Sequence, residues 1–351
     1  MVALPDPARK GLRLGWMDAL RGMALTFVIF DHSVVNTADK VGDLPGALLF
    51  LAGVLDPLRM PLMVFLSGTL LTQSLAKGPR PYLLGKVKNI LYPFVVWTWL
   101  FTFLWIMAEP ITGTPHDLSE FWWNIIDPQS HLWFIYYLFI YYCLMLPLRK
   151  VPRVLLIVAS FAIAALWTAI GWSDGERFFF LFGFFVLGQH ATENAKALGK
   201  LLRRRATWVG MVVLALGLPV AALTLETSLR YEPASIPLAV GGIGVMLLFA
   251  NAVGDRAVLG MFRYLGRNSL RAYIVHWMII VAIILVTSRL VGVDDPRIVA
   301  GCATAGGFAG TLLAVRLTHM LRLDGLFAWP ARTPAWWLAG RRRIGRVFAQ
   351  W

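Results

Sequence analysis

Residues 15–36 read GWMDALRGMALTFVIFDHSVVN, and this stretch decides the fold of the chain. Most of its side chains are apolar, and a run of about 20 such residues is long enough to span a lipid bilayer as a helix. The run nevertheless contains ionisable residues, namely Asp18, Arg21, Asp31 and His32. Ionisable groups inside a spanning segment are costly and usually face the protein interior or a watery cavity. The sequence therefore predicts a membrane helix that carries a functional face.

The spacing of these residues places two of them on one side of that helix. Arg21 and His32 are eleven positions apart, which at about 100° per residue is three turns plus about 20°, with roughly 16 Å between them along the axis. Arg21 is expected near the cytoplasmic end, where Asp18 is within reach of a local ion pair. His32 is expected near the outer end, whereas Asp31 points in a different direction.

The rest of the chain has the same apolar character. Of its 351 residues, 58% are hydrophobic and 15% are charged, against about 25% charged in a typical soluble domain. Lipid cannot hydrogen-bond to free backbone groups, so the spanning segments must be helices. We predict an all-α integral membrane protein, a bundle of about ten transmembrane helices. The candidate segments lie near residues 15–36, 47–75, 88–108, 132–148, 153–172, 177–192, 207–225, 235–253, 268–290 and 298–321.

The charged residues indicate the topology. The net charge is +14, and most Lys and Arg residues fall in alternate connections between the candidate helices, while the opposite connections are mainly acidic. The positive-inside rule then places both termini in the cytoplasm. Topology and attraction to anionic lipid account for the basic balance without nucleic acid. We divide the chain into a cytoplasmic tail (1–14), a transmembrane domain (15–322) and a basic, aromatic tail at the cytoplasmic interface (323–351).

The functional face of the first helix suits the transfer of a group between two compartments. An Arg at the cytoplasmic end can hold a phosphate-bearing donor. A His can take a proton from an acceptor hydroxyl and return it to the leaving group. The spacing alone leaves open that Arg21 marks only the cytoplasmic boundary and His32 only the outer interface. Cys143 and Cys302 lie in apolar runs and offer no metal-ligand spacing, so no metal is predicted.

These residues resemble the leading motif of a known family. Arg21 and His32 are separated by ten intervening residues and are preceded by Asp18-Ala19-Leu20. This pattern resembles the first motif of the membrane-bound acyltransferase 3 family. That family includes O-acetyltransferases of lipopolysaccharide and exopolysaccharide, and macrolide acyltransferases. Further stretches resemble its later motifs, in the same order along the chain. They are Arg59 to Gly68, Lys86 to Pro93, His131 to Phe134, Phe184 to Gly188, and Leu265 to Ser269 followed by Tyr273 and His276.

The resemblance implies a donor on the cytoplasmic side. It implies that Arg21 and His32 are essential, that the co-substrate is acyl-CoA, above all acetyl-CoA, and that no cofactor is permanently bound. Further donor contacts are expected at Lys86 and Lys88, although members of the family often carry paired arginines there, and Lys cannot make the bidentate fork of Arg. His276 lies roughly 13 Å into its helix, closer to the level of Arg21 than of His32. We expect it to line the donor passage; the alternative is a packed histidine.

The acceptor is expected to be a hydroxyl of a carbohydrate or of a glycosylated molecule. Arg59 lies beside Asp56 near the outer end of its helix, where it can face the same cavity as His32; the alternative is an Asp56–Arg59 helix pair. His131 and Trp133 can stack against and hydrogen-bond to a sugar, or anchor the helix at the interface. The sequence leaves the identity of the acceptor, the acyl chain length and the oligomeric state open.

Two functions are compatible with this pattern. In the first, a multi-pass enzyme of the plasma membrane uses His32 as a general base, or as an acyl-bearing nucleophile, with Asp18 and Asp31 in support. In the second, the chain is a carrier or exporter of a lipid-linked or small polar molecule. The concentration of charge in one helix and the lack of an internal repeat favour the enzyme.

Overall fold

The computed structural model describes residues 15–112, 115–128, 130–202, 204–224, 230–253 and 259–330. Within these ranges the chain forms helices and short connections, with no strand. The predicted tail at 1–14 and most of the tail at 323–351 lie outside the described residues. The α-helices in chain order are α1 (Gly15–Lys40), α2 (Gly46–Gly68), α3 (Leu71–Leu75), α4 (Pro79–Lys86), α5 (Tyr92–Thr112), α6 (Glu120–Ile126), α7 (Trp133–Leu144), α8 (Arg153–Ile170), α9 (Ser173–Glu193), α10 (Ala195–Leu202), α11 (Arg205–Thr224), α12 (Ile236–Val253), α13 (Gly260–Arg267), α14 (Ser269–Leu285) and α15 (Pro296–Met320).

The described residues form two compact units. The first contains residues 15–83 and 137–317, and the second contains residues 84–136 and 318–330. In the first unit α1 packs against α2, α13 and α14, while α9 packs against α2 and α8. Neighbours on several sides of α1 explain how a helix with four ionisable residues is accommodated in an apolar bundle.

Local sequence signals set the ends of several helices. α8 begins directly after Pro152 and ends at Gly171, whose φ of 81° is the left-handed conformation that commonly terminates a helix. α15 begins at Pro296, which needs no hydrogen bond at that position. The carboxylate of Asp295 accepts the backbone N–H of Arg297 at 2.8 Å, so that it caps the start of α15.

Motif glycines form a close crossing between α2 and α9. Gly68 lies against the backbone of Phe185, and Gly188 lies against the backbone of Phe65. A Cβ at either glycine would overlap a carbonyl oxygen of the facing helix, which cannot rotate away as a side chain can. Small residues at such points let membrane helices approach closely, and close packing is a main source of their association.

A second pair of motif glycines forms the crossing between α1 and α13. Gly22 lies against the backbone of Phe262, and Gly266 lies against the backbone of Asp18. Because the later glycine faces the earlier residue of α1, the short helix α13 runs antiparallel to α1. The chain then reverses at Asn268 and continues as α14. The glycines quoted in the motifs are therefore points of backbone contact.

In the second unit, the end of the described chain packs against the start of α5. The indole N–H of Trp97 donates to the carbonyl of Leu326 at 3.0 Å. The backbone N–H of Trp329 donates to the carbonyl of Lys88 at 2.9 Å. Lys88 belongs to a π-helical turn, Val87–Leu91, which leads into α5. The location of the tail at the cytoplasmic interface stays a prediction, as does the division of the chain at residues 14 and 322.

In the part of the chain that the structure describes, each segment predicted to span the membrane contains an α-helix. Within the described residues, 6 helical stretches are long and apolar enough to cross a bilayer by length and composition. The surface of α8 also exposes large apolar side chains, such as Val158, as a lipid-facing helix does. The all-α membrane fold is therefore confirmed, whereas the count of ten and the position of the termini stay predictions. The 6 stretches are Gly46–Leu75, Pro79–Glu109, Arg153–Ile170, Pro233–Ala250, Ser269–Leu290 and Pro296–Met320.

Candidate active site

The centre of the candidate site is a pair of imidazoles from α1 and α14. The rings of His32 and His276 have centroids 5.3 Å apart and planes tilted by 41°. His32 is half-buried and His276 is fully buried. Nδ1 of His276 lies 2.6 Å from the carbonyl oxygen of Tyr273. A carbonyl can only accept, so Nδ1 carries a proton and Nε2 is the basic nitrogen of the neutral ring. We call His32 and His276 the histidine pair.

The position of His276 differs from the depth predicted by counting residues along its helix. That count placed His276 nearer to the level of Arg21, but its ring contacts His32. The count began at Arg267, but α13 ends there and His276 belongs to α14, which begins at Ser269. The predicted level was therefore wrong. The contact places the His276 ring beside His32, and the donor contact expected for His276 stays a prediction.

Arg21 lies against the C-terminal end of α2. Its Nη2 donates to the carbonyl of Leu66 at 3.0 Å, and the same carbonyl accepts the hydroxyl of Thr69 at 2.7 Å. Tyr142, whose hydroxyl donates to the carbonyl of Ser67 at 3.2 Å, is close enough to Arg21 for electrostatic interaction. The last carbonyls of a helix lack partners within the helix and carry partial negative charge. The guanidinium therefore ties α1 to the end of α2.

Asp18 joins α1 to α13. Its Oδ2 lies 3.3 Å from Nε of Arg267, and the carboxylate is buried while the Arg267 side chain is 53% exposed. The sequence predicted a local pair of Asp18 with Arg21, and the structure adds a partner 249 positions away. The pair stands at the same crossing as Gly266, and the supporting role of Asp18 stays a prediction.

Four charged side chains meet around Asp31, the residue that precedes His32 in α1. Arg59 of α2 contacts the carboxylate of Asp31 and lies 2.6 Å from that of Asp56. Arg230, which precedes α12, lies 2.9 Å from Asp56 and 3.4 Å from Asp31. Two carboxylates and two guanidiniums balance one another, as buried charges require. We call Asp31, Asp56, Arg59 and Arg230 the charge cluster.

The members of the charge cluster differ in their access to solvent. The side chains of Arg59 and Asp31 are 5% and 4% exposed, whereas that of Arg230 is 39% exposed. Desolvation acts to lower the pKa of Arg230, but the carboxylates of Asp56 and Asp31 outweigh it and raise the pKa. Arg59 is held by carboxylates of two helices, which favours the ion-pair interpretation over acceptor binding.

The sequence interpretation missed several members of this arrangement. Arg267 was part of a motif, but neither Arg230 nor Tyr231 was singled out from the sequence. Tyr231 is buried, and its φ of 62° is a left-handed conformation that a tyrosine rarely adopts. Arg230 meets Asp56 from 174 positions away. Helical periodicity is local, so it carries no signal for such a pairing.

The second unit contains the other predicted site residues. Lys86 ends α4 and Lys88 lies in the π-helical turn, and both are half-buried. His131 is buried, with its ring 5.3 Å from that of Phe101. Trp133 is half-buried at the start of α7. The donor and acceptor roles of these four residues stay predictions.

The fold and the site define a polytopic helical membrane protein whose first helix presents a motif arginine and a motif histidine to two different neighbours. The sequence matches the family described as an acyltransferase domain, Acyl_transf_3, over residues 14–316. The chain therefore belongs to the acyltransferase 3 family, as its motifs predicted. No curated protein matches the chain.

Proposed function

We propose that the protein is an O-acyltransferase of the plasma membrane. In this proposal it moves an acyl group, above all acetyl, from cytoplasmic acyl-CoA to a hydroxyl of a glycan or glycosylated acceptor. Membership of the acyltransferase 3 family supports the reaction class. The observation that carries the proposal is the histidine pair, because the motif imidazole lies beside a second imidazole inside the helical bundle.

His32 acts as the general base in the proposed reaction. Its imidazole takes the proton of the acceptor hydroxyl while the hydroxyl oxygen attacks the thioester carbonyl. A C–O bond forms, the C–S bond breaks, and the imidazolium returns the proton to the CoA thiolate. The products are an O-acyl ester and free CoA. A route in which the acyl group first moves to His32 gives the same products.

His276 has a positioning role in this scheme. The bond from its Nδ1 to the Tyr273 carbonyl sets the orientation of the buried ring, and the contact with His32 limits the orientations of the catalytic imidazole. Proton transfer depends strongly on such alignment. We therefore propose that His276 supports His32, in addition to the donor contact expected from sequence.

Arg21 is the proposed contact for the phosphate groups of the donor. A guanidinium binds phosphate through charge-assisted hydrogen bonds, and the bond to the Leu66 carbonyl supports a defined orientation of its side chain. Lys86 and Lys88 are further proposed donor contacts. On the acceptor side, His131 and Trp133 are the proposed contacts.

The experiment compares histidine variants in a strain that lacks the native gene. Ester-linked acyl groups on extracted cell-surface glycans are measured by mass spectrometry, with protein level checked by immunoblot. His32→Ala should lose transfer, because a general base contributes roughly 10²–10⁴-fold to the rate. His190→Ala, a histidine of α9 outside the pair, is the matched control and should transfer normally. A His32→Ala variant with wild-type transfer would overturn the mechanism.

The positioning role of His276 has its own readout. His276→Ala should lower transfer, and His276→Asn should restore part of it, because the Asn amide can still donate to the carbonyl of Tyr273. The pH dependence of transfer should shift in His276→Ala, since the environment of the His32 ring changes. Equal loss in both variants with an unchanged pH profile would show that His276 only fills space.

A further inference from the structure

A polar cavity of about 280 Å³ opens at the N-terminal end of α9 and beside the segment that precedes α12. We call it the polar pocket, and no part of the proposed mechanism has used it. Ligand pockets for drug-sized molecules measure about 300–1,000 Å³, so this one is sized for a small ring and not for a nucleotide such as CoA. It is lined by Ser173, Asp174, Glu176, Arg177, Arg230 and Tyr231.

The lining of the polar pocket is charged but balanced. Two guanidiniums, of Arg177 and Arg230, face it together with the carboxylates of Asp174 and Glu176. Arg177 Nη2 lies 2.6 Å from Asp174 Oδ1, so part of the charge is neutralised within the wall. With both signs present in equal number, neither an anion nor a cation gains a clear net attraction that would offset its loss of hydration. A neutral polyhydroxyl ring suits this wall, because its hydroxyls accept from N–H groups and donate to carboxylates.

Two residues of the pocket wall, Arg230 and Tyr231, interact with neighbours of the histidine pair. Through charges, Arg230 of the pocket wall reaches Asp31 at 3.4 Å, and Asp31 precedes His32 in α1. Tyr231 lies within electrostatic range of Tyr273, whose ring lies 5.3 Å from that of His276. The pocket wall therefore includes residues that interact with the surroundings of both histidines.

The backbone of Tyr231 is a further sign of a built site. Its φ of 62° costs free energy for a residue with a side chain. Such conformations persist where the surroundings hold them, and they cluster at binding and active sites. Here the conformation places Tyr231 next to Arg230 in the wall of the pocket, while the ring lies 6.1 Å from that of Phe180.

We propose that the polar pocket binds a neutral sugar ring of the acceptor and so sets which hydroxyl reaches His32. This inference rests on the proposed acyltransferase function and adds to it the charge class and the place of the acceptor. The pocket selects uncharged hexose units over uronic acids and amino sugars, because a wall with balanced charge does not offset the desolvation of a charged ring.

Saturation-transfer NMR on the full chain in detergent tests the proposal directly. The probes are the methyl α-glycosides of glucose, galactose and mannose, each compared with a uronic acid and an amino-sugar glycoside. Wild type should transfer saturation to at least one neutral hexoside, and less to the charged glycosides. Absence of signal from all neutral hexosides, or the strongest signal from a charged glycoside, would overturn the proposal.

A pocket-filling variant locates the binding. Ser173→Trp puts a bulky side chain on an exposed residue at the pocket rim, and Ser173→Leu serves as a smaller replacement if the first variant is not monodisperse. The signal should fall to the level of a protein-free sample in the Ser173 variant. It should persist in Leu290→Trp, which adds the same side chain at an exposed position away from the pocket. Persistence of the signal in a folded Ser173 variant would place the binding elsewhere.

His32→Ala separates this inference from the proposed function. The polar pocket does not include His32, so the variant should keep the hexoside signal while it loses acyl transfer. A Ser173 variant that loses the hexoside signal but still transfers acyl groups would refute the pocket as the acceptor site and leave the proposed function standing. Intact transfer in His32→Ala with normal hexoside binding would refute only the mechanism.

Discussion

Replacing Arg59 by methionine should destabilise the protein strongly, because the change breaks the charge cluster at its most buried point. The carboxylate of Asp31, with only 4% of its side chain exposed, would lose a direct partner and keep only Arg230 at 3.4 Å. Removing one partner of a buried ion pair costs about 3–5 kcal/mol. At about 2–4 °C per kcal/mol for domains of 150–250 residues, the melting temperature should fall by roughly 10 °C.

Two matched variants test whether the unpaired carboxylate of Asp31 causes the expected loss of stability. Adding Asp31→Asn to Arg59→Met should recover most of the stability, because a neutral amide needs no countercharge. Arg230→Met removes the same charge from the same cluster, but its side chain is 39% exposed. An exposed ion pair contributes about 0–1 kcal/mol, so this variant should melt within a few degrees of wild type.

Intrinsic tryptophan fluorescence during heating, on detergent-purified protein, measures the four melting temperatures. The reasoning fails if Arg59→Met is as stable as Arg230→Met, or if the double variant is no better than Arg59→Met alone. The double variant also separates the two interpretations of Arg59. If Arg59 only pairs with carboxylates, the stable double variant should acylate cell-surface glycans normally; if Arg59 binds the acceptor, transfer should stay low although the protein is stable.

Two further predictions concern helix contacts. Arg21→Ala should raise KM for acyl-CoA and also lower stability by about 1.5–3 kcal/mol, the value of a hydrogen bond from a charged donor; an unchanged KM in steady-state kinetics would contradict the donor role. Gly188→Ala should lower the melting temperature, since overpacking costs about 1–3 kcal/mol. Gly210→Ala, in α11 with open space around its Cα, should not; equal melting temperatures would argue against the α2–α9 crossing.

The sequence by itself determined the class of fold and the family. Apolar runs of spanning length require helices wherever lipid surrounds the backbone, and that requirement does not depend on which helices are neighbours. The family followed from ordered motifs such as the one around Arg21 and His32, and the match over residues 14–316 agrees with it. The sequence shows where the motif glycines lie, but it does not show that they contact the backbones of other helices.

Only the tertiary structure decided which side chains meet. The estimate for His276 failed because it counted from Arg267 as if along one helix, whereas the chain breaks at Asn268 between α13 and α14. Arg230 joined Asp31 and Asp56 only when the segment before α12 folded back onto α1 and α2. Helical periodicity predicts which residues share a face of a helix. Which other helix packs against that face depends on the shapes of both helix surfaces, and a local sequence pattern does not contain that information.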